Sequence, residues 1–178
     1  MAIKDVTSTS FGLVIAFLLP GVVALFSLSF WYESAQDAFH TFLTSKSNVG
    51  LFLFLLLGAL AMGLVISTVR WFVYERLFAP LNGPRPTAVE WQRLSEESRF
   101  VAFRAAVDET YRYHQCFGGL TIAAPALFVG WLNSLDAHRG QQVALIVSFI
   151  ALETLLVIAS IVAFRNYLSF ARSILGRT

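Results

Sequence analysis

A single cysteine, Cys116, is all the thiol chemistry this 178-residue chain carries. It leaves no partner for an intrachain disulfide and no set of cysteines for a metal cluster, so Cys116 reads as a small apolar residue at a helix start. Charge is scarce as well: Lys, Arg, Asp and Glu make up 13% of the residues, with 13 basic against 11 acidic side chains. A net charge of +2 supplies no basic field for a long nucleic acid. There is no H-E-x-x-H, no G-x-S-x-G elbow, no Walker loop and no paired-carboxylate motif. The chain is therefore expected not to be an enzyme, and no metal or cofactor is expected. The histidines, His40, His114 and His138, fall in different connections and each reads as a solvated or interfacial residue.

What is abundant is apolar. Hydrophobic residues make up 57% of the chain, 17 of them Phe, and the mean hydropathy is +0.67, which marks an integral membrane protein. Crossing about 30 Å of hydrocarbon at 1.5 Å per residue takes about 20 residues. Four runs qualify, at residues 11–32, 49–72, 117–135 and 143–164. The first is expected to be a retained helix and not a secretory signal, because Lys4 stands beside Asp5 and no clear A-x-A site follows.

Orientation follows from the basic residues. Lys4, the seven arginines from Arg70 to Arg112, and Arg165, Arg172 and Arg177 make eleven, whereas the other two connections hold only Lys46 and Arg139. Both termini and the long central segment are expected on the cytoplasmic side of a bacterial inner membrane. The predicted architecture is all-α and polytopic, with four transmembrane helices and a cytosolic helical insert between helices 2 and 3. Its three parts are a hairpin (1–73), the insert (74–116), and a second hairpin with a cytosolic tail (117–178).

The insert opens on a Pro- and Gly-punctuated connector, and Thr87 with Glu90 then forms a capping box. After a break at "SEES", Glu96 and Glu97 favour a new helix start. Phe100, Phe103, Val107 and Tyr111 recur at helical spacing, flanked by Arg104, Asp108 and Arg112, the candidate regulatory residues. This amphipathic helix leads into the third span, with its stripe expected to pack on its own chain. Six Arg from 74 to 116 are offset by six acids, so only a small anionic ligand, repeated around an oligomer, stays open there.

Within the spans, Ala59, Gly63 and Ser67 recur four apart, the pattern of a close helix-packing seam, and Pro20 and Pro125 are potential kinks. The fourth run carries an acid, Glu153, near its midpoint. At about 100° per residue, Gln142, Glu153, Ser160 and Tyr167 share one narrow stripe. Intramembrane acids often mark ion paths. Since one four-helix bundle fills its own core, a pore would need several copies, taken as a tetramer, with these four residues lining it. The competing reading is a Glu153 hydrogen-bonded at a helix interface, with the stripe a packing seam.

The stretches "FLLPG", "ERLFAPLNGPRP" and "YRYHQCFGG" resemble those of small bacterial inner-membrane proteins. The four-helix layout with a cytosolic insert resembles the membrane effectors of anti-phage defence, such as the channel-forming partner of a nucleotidyltransferase in Hailong-type systems. That resemblance implies an oligomeric ion channel that depolarises the infected cell under control of a nucleotide-type or protein regulator. It transfers no functional residue. Besides this regulated channel, a non-conducting membrane scaffold or signalling subunit and a small proton-coupled transporter stay open.

Overall fold

The computed structural model describes residues 12, 14–44, 49–77, 97–135 and 138–174. Among these the ordered elements are all helical, and no strand occurs. Helix α1 (Leu19–Ser27) is entered through a π turn, Val14–Leu18, and left through a 3-10 turn, Leu28–Phe30. Pro20 accounts for the entry. It has no N–H to donate backwards and its ring needs room, so it sits in the first turn of the regular helix, after a widened turn. At Trp31 and Tyr32 the chain breaks, and α2 (Glu33–Thr44) follows. The segments Ala16–Phe30 and Glu33–Phe42 are bent by 118°. The expected span at 11–32 therefore ends at Phe30, and the connection behind it is largely helix.

Helix α3 (Val49–Arg70) continues through a π turn, Trp71–Leu77. Helix α4 (Glu97–Ala106) runs through a π turn, Val107–Tyr111, directly into α5 (Arg112–Asn133), and the break expected at "SEES" falls at the edge of the described residues. Helical structure thus continues through Phe117, where the third span was expected to begin, and Pro125 sits inside α5 without interrupting it. The capping box at Thr87 and Glu90 lies outside the described residues. Helix α6 (Arg139–Ile174) has 36 residues and is about 54 Å long at 1.5 Å per residue, well beyond about 30 Å of hydrocarbon. Three helical stretches, Val49–Tyr74, Arg112–Asn133 and Arg139–Ile174, are long and apolar enough to cross a membrane, or four if the bent pair is one span. That composition suits a multi-pass membrane protein.

The packing follows membrane rules. Gly21 faces the Ala59 carbonyl and Gly63 faces the Phe17 carbonyl, so a Cβ at either glycine would collide with main chain. This is how α1 and α3 approach so closely. Ser67 is half-buried and lies in a groove with Leu64, Thr68, Arg70 and Trp71. Helix α5 packs across α1 and α3, and α6 packs on α5 and α4. The buried apolar residues are mostly small, including Ala16, Ala59, Ala123 and Ala171, whereas Phe54, Leu57, Leu64, Val147, Ile150 and Leu155 face outward. In water such an arrangement would be inside out. In lipid, outward Leu and Phe cost nothing and small residues bring backbones together.

Candidate functional site: a polar seam between three apolar helices

The π turn after α3 places Tyr74 one turn beyond Arg70. On α5, His114, Gly118 and Thr121 follow at four- and three-residue steps, which puts them on one face. Helix α6 runs antiparallel to α5: His114 meets Ser160, Tyr111 meets Phe164 at 6.5 Å, and Phe128 stacks on Phe149 at 4.0 Å between ring centres. Three helices thus turn their few polar residues toward one another.

At the centre is a three-residue relay. Arg70, His114 and Ser160 are 2%, 1% and 0% exposed. The Arg70 Nη1 donates to His114 Nε2 at 2.9 Å, because a guanidinium has no lone pair to accept with. Nε2 must then be the acceptor nitrogen, which places the imidazole proton on Nδ1. Nδ1 donates to the Ser160 carbonyl at 3.0 Å and to Ser160 Oγ at 2.9 Å. Ser160 Oγ donates in turn to the His114 carbonyl at 3.4 Å. The donor pattern therefore assigns a neutral histidine between a fixed cation and a hydroxyl.

Aromatic rings close the site. His114 packs against Phe164 at 4.7 Å, edge-on to Tyr74 at 5.7 Å and against Tyr111 at 5.9 Å, and Arg70 lies 6.0 Å from the Tyr111 ring centre. Gly118 makes room: a Cβ there would stand 3.0 Å from Arg70 Cδ and 3.1 Å from Ser160 Oγ. Among the described residues no carboxylate pairs with Arg70, and its Nε has no partner. An enclosed guanidinium served by one imidazole and one ring carries a desolvation cost that hydrogen bonding offsets only in part. The Ser160–His114 contact has the atoms of a nucleophile and a base, but as packed neither atom reaches the surface and Nε2 is already engaged.

A second polar contact lies farther along the seam. Thr121 Oγ1 donates to the Gly118 carbonyl at 2.9 Å, so the Tyr74 hydroxyl must donate to Thr121 Oγ1, at 2.8 Å. Thr121 is seven residues beyond His114 and Glu153 seven before Ser160, so antiparallel register brings Glu153 to the level of Thr121. Glu153 is half-buried, and its Oε1 is enclosed with no hydrogen-bond partner among the described residues. The neighbouring Thr154 bonds its own helix, donating to the Ile150 carbonyl at 2.7 Å.

The stripe expected along α6 thus divides. Ser160 is inside the relay, and Tyr167 packs on Tyr111 at 4.9 Å and near Phe103 at 6.2 Å, so both lie in the seam between the chain's own helices. Gln142 is half-buried near the opposite end of α6, eighteen residues from Ser160, and joins neither cluster. On the insert, Phe103 and Tyr111 turn onto Tyr167 while Phe100 is 53% exposed. Arg104 is exposed, Arg112 lies against Gly12, and the Asp108 side chain is outside the described residues.

His114 corrects the sequence reading. His40 and His138 are exposed, but His114 is sealed in the seam because its face of α5 meets Arg70 of α3 and Ser160 of α6. Arg70, read only as a topology signal, belongs to the same site, and so does Tyr74. The available signal was spacing: an Arg closing an apolar helix with Tyr four residues on, and a His seven before a Thr. Compared with protein-family models, curated proteins and solved structures, the chain matches none.

Proposed function

We propose that the chain is the subunit of a homo-oligomeric ion channel in a bacterial inner membrane. Both termini and the 74–116 insert face the cytoplasm, and the assembly, taken as a tetramer, is a regulated effector that disrupts membrane potential in anti-phage defence. The observation that carries this reading is the unpartnered Glu153 Oε1 within an otherwise apolar helix. Among the described residues nothing hydrogen-bonds that oxygen, and an ionised acid at the centre of a membrane helix costs about 2.5 to 3.5 kcal/mol on insertion scales. A second copy, water or a permeant cation would remove the cost. The outward apolar faces of α3 and α6 supply surface for lipid and for neighbouring copies. The continuous course from α4 into α5 supports regulation through the insert, where Arg104, Asp108 and Arg112 are the candidate contacts for a nucleotide-type or protein signal.

A non-conducting scaffold or signalling subunit is the second reading, favoured by Ser160 and Tyr167 being taken up in intrachain packing. Reversal potentials in asymmetric salt separate the two. Purified protein in planar bilayers should conduct with cation preference, and Glu153→Gln, which keeps shape and removes charge, should reduce that preference several-fold. Conductance with identical reversal potentials for both would take Glu153 off the permeation path, and no conductance from intact protein would leave the scaffold reading.

A further inference from the structure

Helix α2 divides cleanly by polarity. Ala35, Ala38, Phe39 and Phe42 lie at i, i+3, i+4 and i+7 and are all half-buried, while Glu33, Asp37, His40 and Thr41 on the opposite arc are exposed. Phe39 meets Phe26 of α1 edge-on at 5.4 Å between ring centres, and Phe26 is itself 39% exposed, so the apolar arc of α2 continues the outward apolar surface of α1. The bend of 118° exceeds a right angle by 28°. With the Ala16–Phe30 segment standing along the membrane normal, α2 lies within 28° of the membrane plane. The hinge residues are Trp31 and Tyr32, 51% and 62% exposed, the pair expected where hydrocarbon meets headgroups. The Trp31 indole N–H donates to the Ala126 carbonyl at 3.3 Å, which ties the hinge to α5.

We propose that α2 is an interfacial helix, bedded by its apolar arc into the headgroup boundary of the bilayer with Glu33, Asp37 and His40 facing water. This requires that the chain is embedded in a membrane, and it does not require that it conducts. Two features argue for a lipid surface over the other possible occupants. As part of a broken span, α2 would carry Glu33 and Asp37 into hydrocarbon at a few kcal/mol each, about 2.5 to 3.5 at the bilayer centre. The helix also holds two acids and no Lys or Arg, so its attachment is apolar partition and not attraction to anionic lipid.

Spin labels placed singly at 36–42 on full-length protein, in a Cys116→Ala background, test this in liposomes of zwitterionic lipid. Accessibility to oxygen against a water-soluble nickel chelate should oscillate with a period of about 3.6 residues. Oxygen should be favoured several-fold at 38 and 42 and the chelate at 37 and 41. Adding anionic lipid to half the total should leave the profile unchanged. Aqueous maleimide reactivity of unlabelled cysteines at 38 and 41 gives the same contrast without a bulky label. Chelate access at every site means a solvated hairpin, oxygen access at every site means a crossing segment, and exclusion of both at 38 and 42 means a protein-covered face. Each of these overturns the proposal, as does a profile that changes with anionic lipid.

Discussion

Arg70, at the level of His114, and Glu153, at the level of Thr121, stand in the same seam about two helical turns of α5 apart, and the chain treats them differently. Arg70 is met in part: an imidazole accepts from its Nη1, a tyrosine ring flanks it and a glycine clears space for its stem, although its Nε has no partner among the described residues. Glu153 has one carboxyl oxygen enclosed, and no hydrogen bond to that oxygen occurs among the described residues. A charge that the fold meets at least in part contributes to holding helices in register. A charge left unsatisfied is a cost to the single chain, and it becomes intelligible when something outside the chain meets it. The difference teaches that burial of a charge is not in itself a sign of function; what matters is whether the fold supplies the partner.

Mutations that remove one side of each arrangement break or sharpen the contrast. The largest effect is expected at His114→Leu, which takes the acceptor from an enclosed guanidinium and should cost about 3 to 5 kcal/mol of stability. Thermal unfolding in detergent measures it. Arg70→Met together with His114→Leu should cost less than His114→Leu alone, because no charge is then stranded; strictly additive losses would show that Arg70 and His114 do not act as a pair. Glu153→Leu in the monomeric, detergent-dispersed chain should go the other way, gaining up to about 1 to 3 kcal/mol as the unserved oxygen disappears. A loss of similar size would mean that Glu153 has a structural partner after all. The smallest change is Tyr74→Phe. It removes the neutral hydrogen bond to Thr121 and leaves Thr121 donating to Gly118, for about 1 kcal/mol from that bond in the same unfolding assay.

Legibility differed by the kind of question. The course of the insert helix into α5 was readable, since a three- and four-residue stripe is a local signal. The stripe of Phe103 and Tyr111 was readable as packing against its own chain, though not that Tyr167 would receive it. The bend at Trp31 and Tyr32 was not readable, because an apolar run gives length without direction and both residues suit a belt whether or not the chain turns there. His114 was misjudged for a related reason: its burial depends on which helices meet the face that carries it, and a local pattern does not name the partner.

The amino-acid sequence by itself determined that this is a helical chain with apolar segments long enough to cross a membrane, and that Glu153 stands in the middle of one of them. Those properties depend on run length and on the solvation of individual side chains. Only the tertiary structure decided that Arg70, Tyr74, His114, Thr121 and Ser160 meet, across separations of 44 to 47 residues for the bonds that join them. Their meeting depends on how closely helices approach and in what register. Both are set by main-chain contacts at Gly21 and Gly63 and by the Arg70 and Ser160 side chains packed against Gly118, residues whose effect on their neighbours appears only once the helices are packed.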